Sequence, residues 1–174
     1  METRSPLTKV ETLRMARPII EFTRVPDEAV DLNAPYQRPS VWTLAQKVAL
    51  IESVLRGIPI TAIIVSDLGS DSDVHWRVVD GKQRLETLIG FTRNEFAVPA
   101  WWFDPEAQDD AEVRWEDLSR VARSDFSMTT IAMEEMQHPR GTTGAERLAA
   151  ERVLYLLVNA AGTAHTDADL DRAR

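Results

Sequence analysis

Apolar positions along the chain follow two rhythms, and the points where the rhythm changes mark its elements. Leu44, Val48, Ile51, Val54 and Leu55 recur at helical intervals behind Thr43, which has capping-box spacing to Gln46. A helix over 44–56 follows, with Gly57 at the left-handed stop and Pro59 barring continuation. Ile60–Ser66 is apolar and β-branched and reads as a strand. Asp67–Asp73 is a turn, and His75–Val79 returns as the next strand of a hairpin. Leu85, Leu88 and Ile89 predict a short helix ending near Gly90, and Phe96–Phe103 predicts another strand. On such a strand Trp101 and Trp102 point to opposite faces, one as a core anchor and the other as an edge cover.

Toward the ends the rhythm weakens. Residues 1–17 read as a loose basic arm, with Val10, Leu13 and Arg14 suited at most to one helical turn, and Pro18 ends it. Ile19–Val25 alternates as a first strand closed by Pro26 and Asp27, and Asp31–Pro39 is a polar loop. Beyond the tryptophans, Asp104–Glu112 is a solvated loop, Asp117 caps a short helix through Val121, and Met128–Met133 is a strand. A connection over 138–144 leads to a helix over 145–160, with Leu148, Val153, Leu156 and Leu157 facing inward and a stop at Gly162. Thr166 and Asp169 have the spacing of one more helix start. The expectation is one α/β (α+β) domain over 18–174 behind the arm.

Composition narrows the function. No cysteine occurs among the 174 residues, which removes disulfides, thiolate nucleophiles and zinc ribbons. His75, His138 and His165 lack metal-ligand spacing and read as surface or loop residues. No apolar run approaches a membrane span and the opening has no secretory pattern, so the expected location is cytoplasmic. Acidic residues outnumber basic ones 28 to 20, a formal net charge of −8, which argues against a protein coated in duplex DNA. Acid gathers at Asp104–Asp117 and Asp167–Asp171, whereas Arg4, Lys9, Arg14, Arg17 and Arg24 make the beginning basic. Any nucleic-acid contact is therefore local.

The chemistry concentrates at Val78-Val79-Asp80-Gly81-Lys82-Gln83-Arg84-Leu85, a strand ending in a tight turn that opens into a helix. Gly81 lets backbone approach a ligand, and the amides after it sit at a helix start. Lys82 and Arg84 add positive charge there, and together these features suit a phosphate. Asp80 is placed to orient water or a metal ion. Arg38, in the proline-stiffened Tyr36-Gln37-Arg38-Pro39 loop, suits a phosphate or a salt bridge. Asn159 and Thr163 offer an amide and a hydroxyl at a helix end, or simple capping.

These segments, YQRPSVW, LRGIPI, TAIIVSD, VVDGKQRLETL and VNAAGTAHTDADL, occur in an order that resembles the ParB/sulfiredoxin-like superfamily. More closely, the chain resembles the amino-terminal domain of GmrS-type proteins of modification-dependent restriction systems, from about Arg17 onward. The resemblance implies a small mixed sheet flanked by helices that binds a nucleoside triphosphate with Mg²⁺ and in several members hydrolyses it. It implies catalytic roles for Asp80, Gln83 and Arg84, and nucleotide or phosphate contacts for Gly81, Lys82, Gln37, Arg38 and Asn159, with Gly162 in the last motif. Mg²⁺ would be held through Asp80, with no histidine or cysteine ligand. Lys82 stands where glutamine is usual, Ala161 replaces a glycine, and Leu157 occupies a position where arginine is common. Full-length relatives carry a carboxy-terminal nuclease portion that this chain does not supply, so it is not expected to cut DNA unaided. Implied partners are the nucleotide, DNA, and a separate nuclease or effector subunit. A non-hydrolysing DNA-associated sensor and a phosphotransferase are the alternatives.

Overall fold

A computed structural model describes residues 9–24, 30–69 and 72–160. At its centre lies a mixed sheet of strands β1 (Thr12–Pro18), β2 (Val30–Asp31), β3 (Ile63–Asp67), β4 (Trp76–Asp80) and β7 (Thr130–Met136), in the order β1-β7-β3-β4-β2. β3 pairs antiparallel with β4 and parallel with β7, so the expected hairpin forms the middle of the sheet. A two-residue pair, β5 (Val98–Pro99) and β6 (Glu112–Val113), lies apart from it. This is the expected mixed α/β architecture, with helices on both faces.

Strand alternation sends side chains to two separate cores. Ile63, Val65 and Val78 pack on one face with Ile51 of α2 (Leu44–Leu55) and with Leu85, Leu88 and Phe91 of α3 (Lys82–Thr92). The short α1 (Ile20–Thr23) supplies Phe22 and α4 (Arg120–Met128) supplies Phe126 to the same cluster. On the opposite face Val79 and Ile64 meet Ala34, Tyr36 and helix α5 (Gly144–Ala160) through Tyr155, Leu148 and Leu154. β4 therefore ends between two helical layers, and the chain leaving it enters the gap.

Local signals around α2 hold. Thr43 and Gln46 form the reciprocal capping box, and Gly57 takes φ +66°. Ile58 N–H then reaches back to Ser53 O at 2.9 Å, closing a Schellman stop.

Other expectations are corrected. Thr12–Pro18, placed in the loose arm, is edge strand β1, in register from Thr12 opposite Met136 to Pro18 opposite Thr130. Its side chains are mostly exposed and only Met15 packs on the core, so backbone pairing forms it without an apolar rhythm. Pro18 is tolerated because an edge strand need not donate there. Residues 19–24, expected as part of a strand over 19–25, do not alternate as one. Ile19 and Phe22, both fully buried, sit three apart on a helical turn. Residues 25–29 lie outside the described residues, as do the stop at Gly162 and the helix start at Thr166.

α3 runs past Gly90 to Thr92 because Asn94, at φ 62°, supplies the left-handed stop. The strand expected over 96–103 shrinks to β5, since Pro99 is followed by a 3₁₀ turn over Ala100–Trp102. Trp102 still packs on the core while Trp101 is exposed, but the turn, not strand alternation, separates them. Ser119, not Asp117, caps α4 by accepting from Ala122 N–H, and the strand placed at 128–133 lies at 130–136. Finally, α5 turns Glu151 and Tyr155 inward, whereas Val153 and Leu157 are 54% and 64% exposed.

Candidate functional site

The turn between β4 and α3 is built for a bare helix start. Gly81 adopts φ +96°, and a Cβ added there would stand 2.6 Å from Ile63 Cδ1, which is fully buried. Glycine is therefore required twice, by conformation and by space. Leu85 N–H closes the first helical bond to Gly81 O at 3.0 Å, and no side chain caps the terminus.

Asp80 and Arg84 face each other across this turn. Arg84 Nη2 donates to Asp80 Oδ2 at 2.8 Å and Nη1 donates to Thr61 O at 2.7 Å. Two of five guanidinium N–H groups thus fix its plane. One turn along, Lys82 Nζ lies 3.8 Å from Glu86 Oε1.

Two glutamines tie the loop after β2 to this corner. Gln37 Nε2 donates to Val78 O at 3.0 Å and Val79 O at 2.9 Å, at the end of β4. Gln83 Oε1 accepts from Ser40 Oγ at 2.9 Å and from the N–H groups of Val41 and Trp42, both at 3.1 Å. Arg38 lies between these two pins. Gln83, expected among the catalytic groups, thus has its carboxamide engaged by the loop.

A cavity of about 460 Å³ opens over the corner. Arg38, Lys82, Arg84 and Asp80 line it, three cations against one carboxylate, in a chain whose net charge is −8. Trp42, Leu50, Pro59, Ile60 and Tyr155 give it apolar walls, and Gln37, Thr61, Gly81, Gln83 and Asn159 complete it. Every site residue expected within 37–38, 80–84 and at 159 therefore lines one cavity, although 37–38 and 159 are far from 80–84 in sequence. Asn159 Nδ2 donates to Tyr155 O at 2.8 Å. Ala161, Gly162, Thr163 and His165 lie outside the described residues. Leu157 does not line the cavity.

The wall formed by α5 is anchored from beneath by residues that sequence reasoning missed. Glu151, 0% exposed, receives hydrogen bonds at Oε2 from the Tyr36 hydroxyl at 3.2 Å and from Arg77 Nη1 at 3.4 Å. Arg77 Nε is also bound to Asp31 Oδ2 at 2.8 Å. Burial, and then the Glu151 carboxylate, push the Tyr36 hydroxyl well above the usual phenol range. A signal existed: Leu148, Glu151 and Tyr155 keep helical spacing, so a carboxylate falls on the inward stripe.

The two described histidines, His75 and His138, stand apart from the cavity. His75 is exposed, and His138 meets the buried Ser66 hydroxyl at 2.7 Å through Nε2. Among the described residues no group of three or more His, Cys, Asp or Glu side chains is arranged to hold a metal ion. No described helix is long and apolar enough to cross a membrane.

No curated protein and no solved structure matches this chain. The family described as "GmrSD restriction endonuclease, N-terminal domain" matches residues 22–170, a span that contains the whole strand, turn and helix corner. The chain belongs to the family of N-terminal domains of GmrSD restriction endonucleases.

Proposed function

We propose that this domain binds a nucleoside triphosphate in the cavity above the β4–α3 turn and hydrolyses it slowly in the service of DNA restriction. One observation carries the reading: three cationic side chains surround an uncapped helix start on a strongly acidic protein. Phosphate oxygens are the natural acceptors for first-turn amides, and the helix dipole favours negative charge at that end.

Within this reading Arg84, pre-oriented by Asp80 and Thr61, and Lys82 neutralise the phosphates from the turn side, and Arg38 does so from the loop. The remaining apolar walls, Trp42 and Tyr155 among them, suit the base and sugar. Mg²⁺ fits as a nucleotide-borne ion. It needs only one or two protein carboxylates when phosphates supply other ligands, and Asp80 has Oδ1 in addition to the oxygen on Arg84. When bound with the triphosphate, the ion would supply positive charge that offsets charge developing on the phosphates. Asp80 would hold it or orient the attacking water, so that catalysis is positioning and electrostatics.

A second reading is favoured by one contact set. Gln83, the amide expected among the catalytic groups, is held by Ser40, Val41 and Trp42. A domain that holds nucleotide without turnover would then act as a conformational sensor for a nuclease partner or for DNA. Phosphate release from ATP, GTP, CTP and UTP with Mg²⁺, with and without DNA, separates the readings. Release abolished by Asp80→Asn supports hydrolysis, binding without release supports the sensor, and no binding of any triphosphate removes both.

A further inference from the structure

We propose that Gln83 is a positioning residue that couples the phosphate-facing turn to the Arg38–Trp42 loop, an inference that rests on the nucleotide reading of the same cavity. Gln83 is the second residue of α3, in the turn where an anion would sit. Its Oε1 accepts from Ser40 Oγ, Val41 N–H and Trp42 N–H, and its Nε2 donates to Pro39 O at 3.4 Å. Four groups from four consecutive residues converge on one side chain.

Two further anchors of this loop lie at its ends. Upstream, Gln37 is bound to the carbonyls of Val78 and Val79, and downstream Thr43 is fixed in the capping box of α2. Between them Pro39 and Ser40 are exposed and Val41 is 74% exposed, so packing does little to fix their position. Trp42, by contrast, is both a cavity wall and a core contact. A phosphate that draws the first turn of α3 onto itself therefore also pulls on the acceptor shared by Val41 and Trp42. Through that acceptor it tightens the loop that carries Arg38. Gln83 acts on the ligand through Arg38 and Trp42 and needs no contact with the reacting atoms.

Residue-resolved amide hydrogen exchange tests this on the whole chain, with Gln83→Met and Gln83→Glu beside the wild type. Methionine keeps the length and helix compatibility of glutamine but removes the strong acceptor, whereas glutamate retains an oxygen at the Oε1 position. In ligand-free protein Val41 and Trp42 amides should exchange about tenfold faster in Gln83→Met, as expected for loss of a typical hydrogen bond. Gln83→Glu should restore their protection. Saturating triphosphate should protect both amides further in the wild type but not in Gln83→Met, which should bind it about tenfold more weakly. Unchanged exchange at Val41 and Trp42 in Gln83→Met, or no added protection when wild type is saturated, overturns the coupling. Failure of the wild type to bind any triphosphate overturns the nucleotide reading instead. The two failures are distinguishable because the hydrogen bonds themselves are read without ligand.

Discussion

The Tyr36 hydroxyl donates to Glu151 Oε2 at 3.2 Å and so joins the loop after β2 to the helix on the same face of the sheet, 115 residues later. Tyr36 is followed by Gln37 and Arg38, and Glu151 lies one helical turn before Tyr155, so this contact fixes two walls of the cavity together. Glu151→Ala should lower stability by about 2–4 kcal/mol in urea unfolding, because it removes a buried acceptor and opens space. Tyr36→Phe should cost about 1 kcal/mol, the ordinary worth of a hydrogen bond. Equal effects for the two variants would contradict an anchoring role for the carboxylate.

A pH dependence should come from His138. Its imidazole lies against the buried Ser66 hydroxyl, and burial followed by the Arg147 charge hold it below the usual histidine value, with Glu151 and Asp67 opposing. A depressed folded-state value means that the unfolded chain takes the proton more readily. The stability that neutral His138 contributes is therefore present above about pH 6.5 and is lost as pH falls from there through the folded value. Chemical unfolding at a series of pH values should show stability dropping below about pH 6.5 in the wild type, with a shallower drop in His138→Gln. Identical slopes would place the proton uptake elsewhere.

Gly81 offers a test of local geometry. Alanine there meets both the positive φ and Ile63 Cδ1, and the conformational part alone costs about 1–2 kcal/mol. Ile63→Val removes Cδ1 and by itself should cost about 0.5–1.5 kcal/mol. The double variant should be about 1 kcal/mol more stable than the sum of the single changes. Strict additivity in thermal or urea unfolding would show that the turn relaxes away from Ile63.

Much of this arrangement was legible in the chain, and the rest was hidden for identifiable reasons. The Thr43 capping box, the Gly57 stop, the hairpin and the Asp80–Arg84 corner are local, each set by residues within one turn of one another. The motif order likewise pointed to the family that the chain joins. Edge strand β1 was hidden because its partner, β7, lies over a hundred residues away and its side chains are mostly exposed. α5 misled through composition: Val153 and Leu157 look like core residues, yet Glu151 takes the inward position because Tyr36 and Arg77 meet it there. The contacts of Gln37 and Gln83, expected as ligand-binding and catalytic groups, were also hidden, because their carboxamides bind backbone contributed by distant segments. Asp80 and Arg84, by contrast, meet each other directly at i and i+4.

Calorimetric titration of a slowly hydrolysed triphosphate analogue with Mg²⁺, into the wild type and into folded Arg84→Ala, tests the central claim most directly. The wild type should bind one equivalent, and Arg84→Ala should bind about 10- to 100-fold more weakly, the usual loss for a hydrogen bond to a charged group. Equal affinity in the two proteins, or no heat of binding for any of the four bases, would contradict a triphosphate site at the Asp80–Arg84 corner.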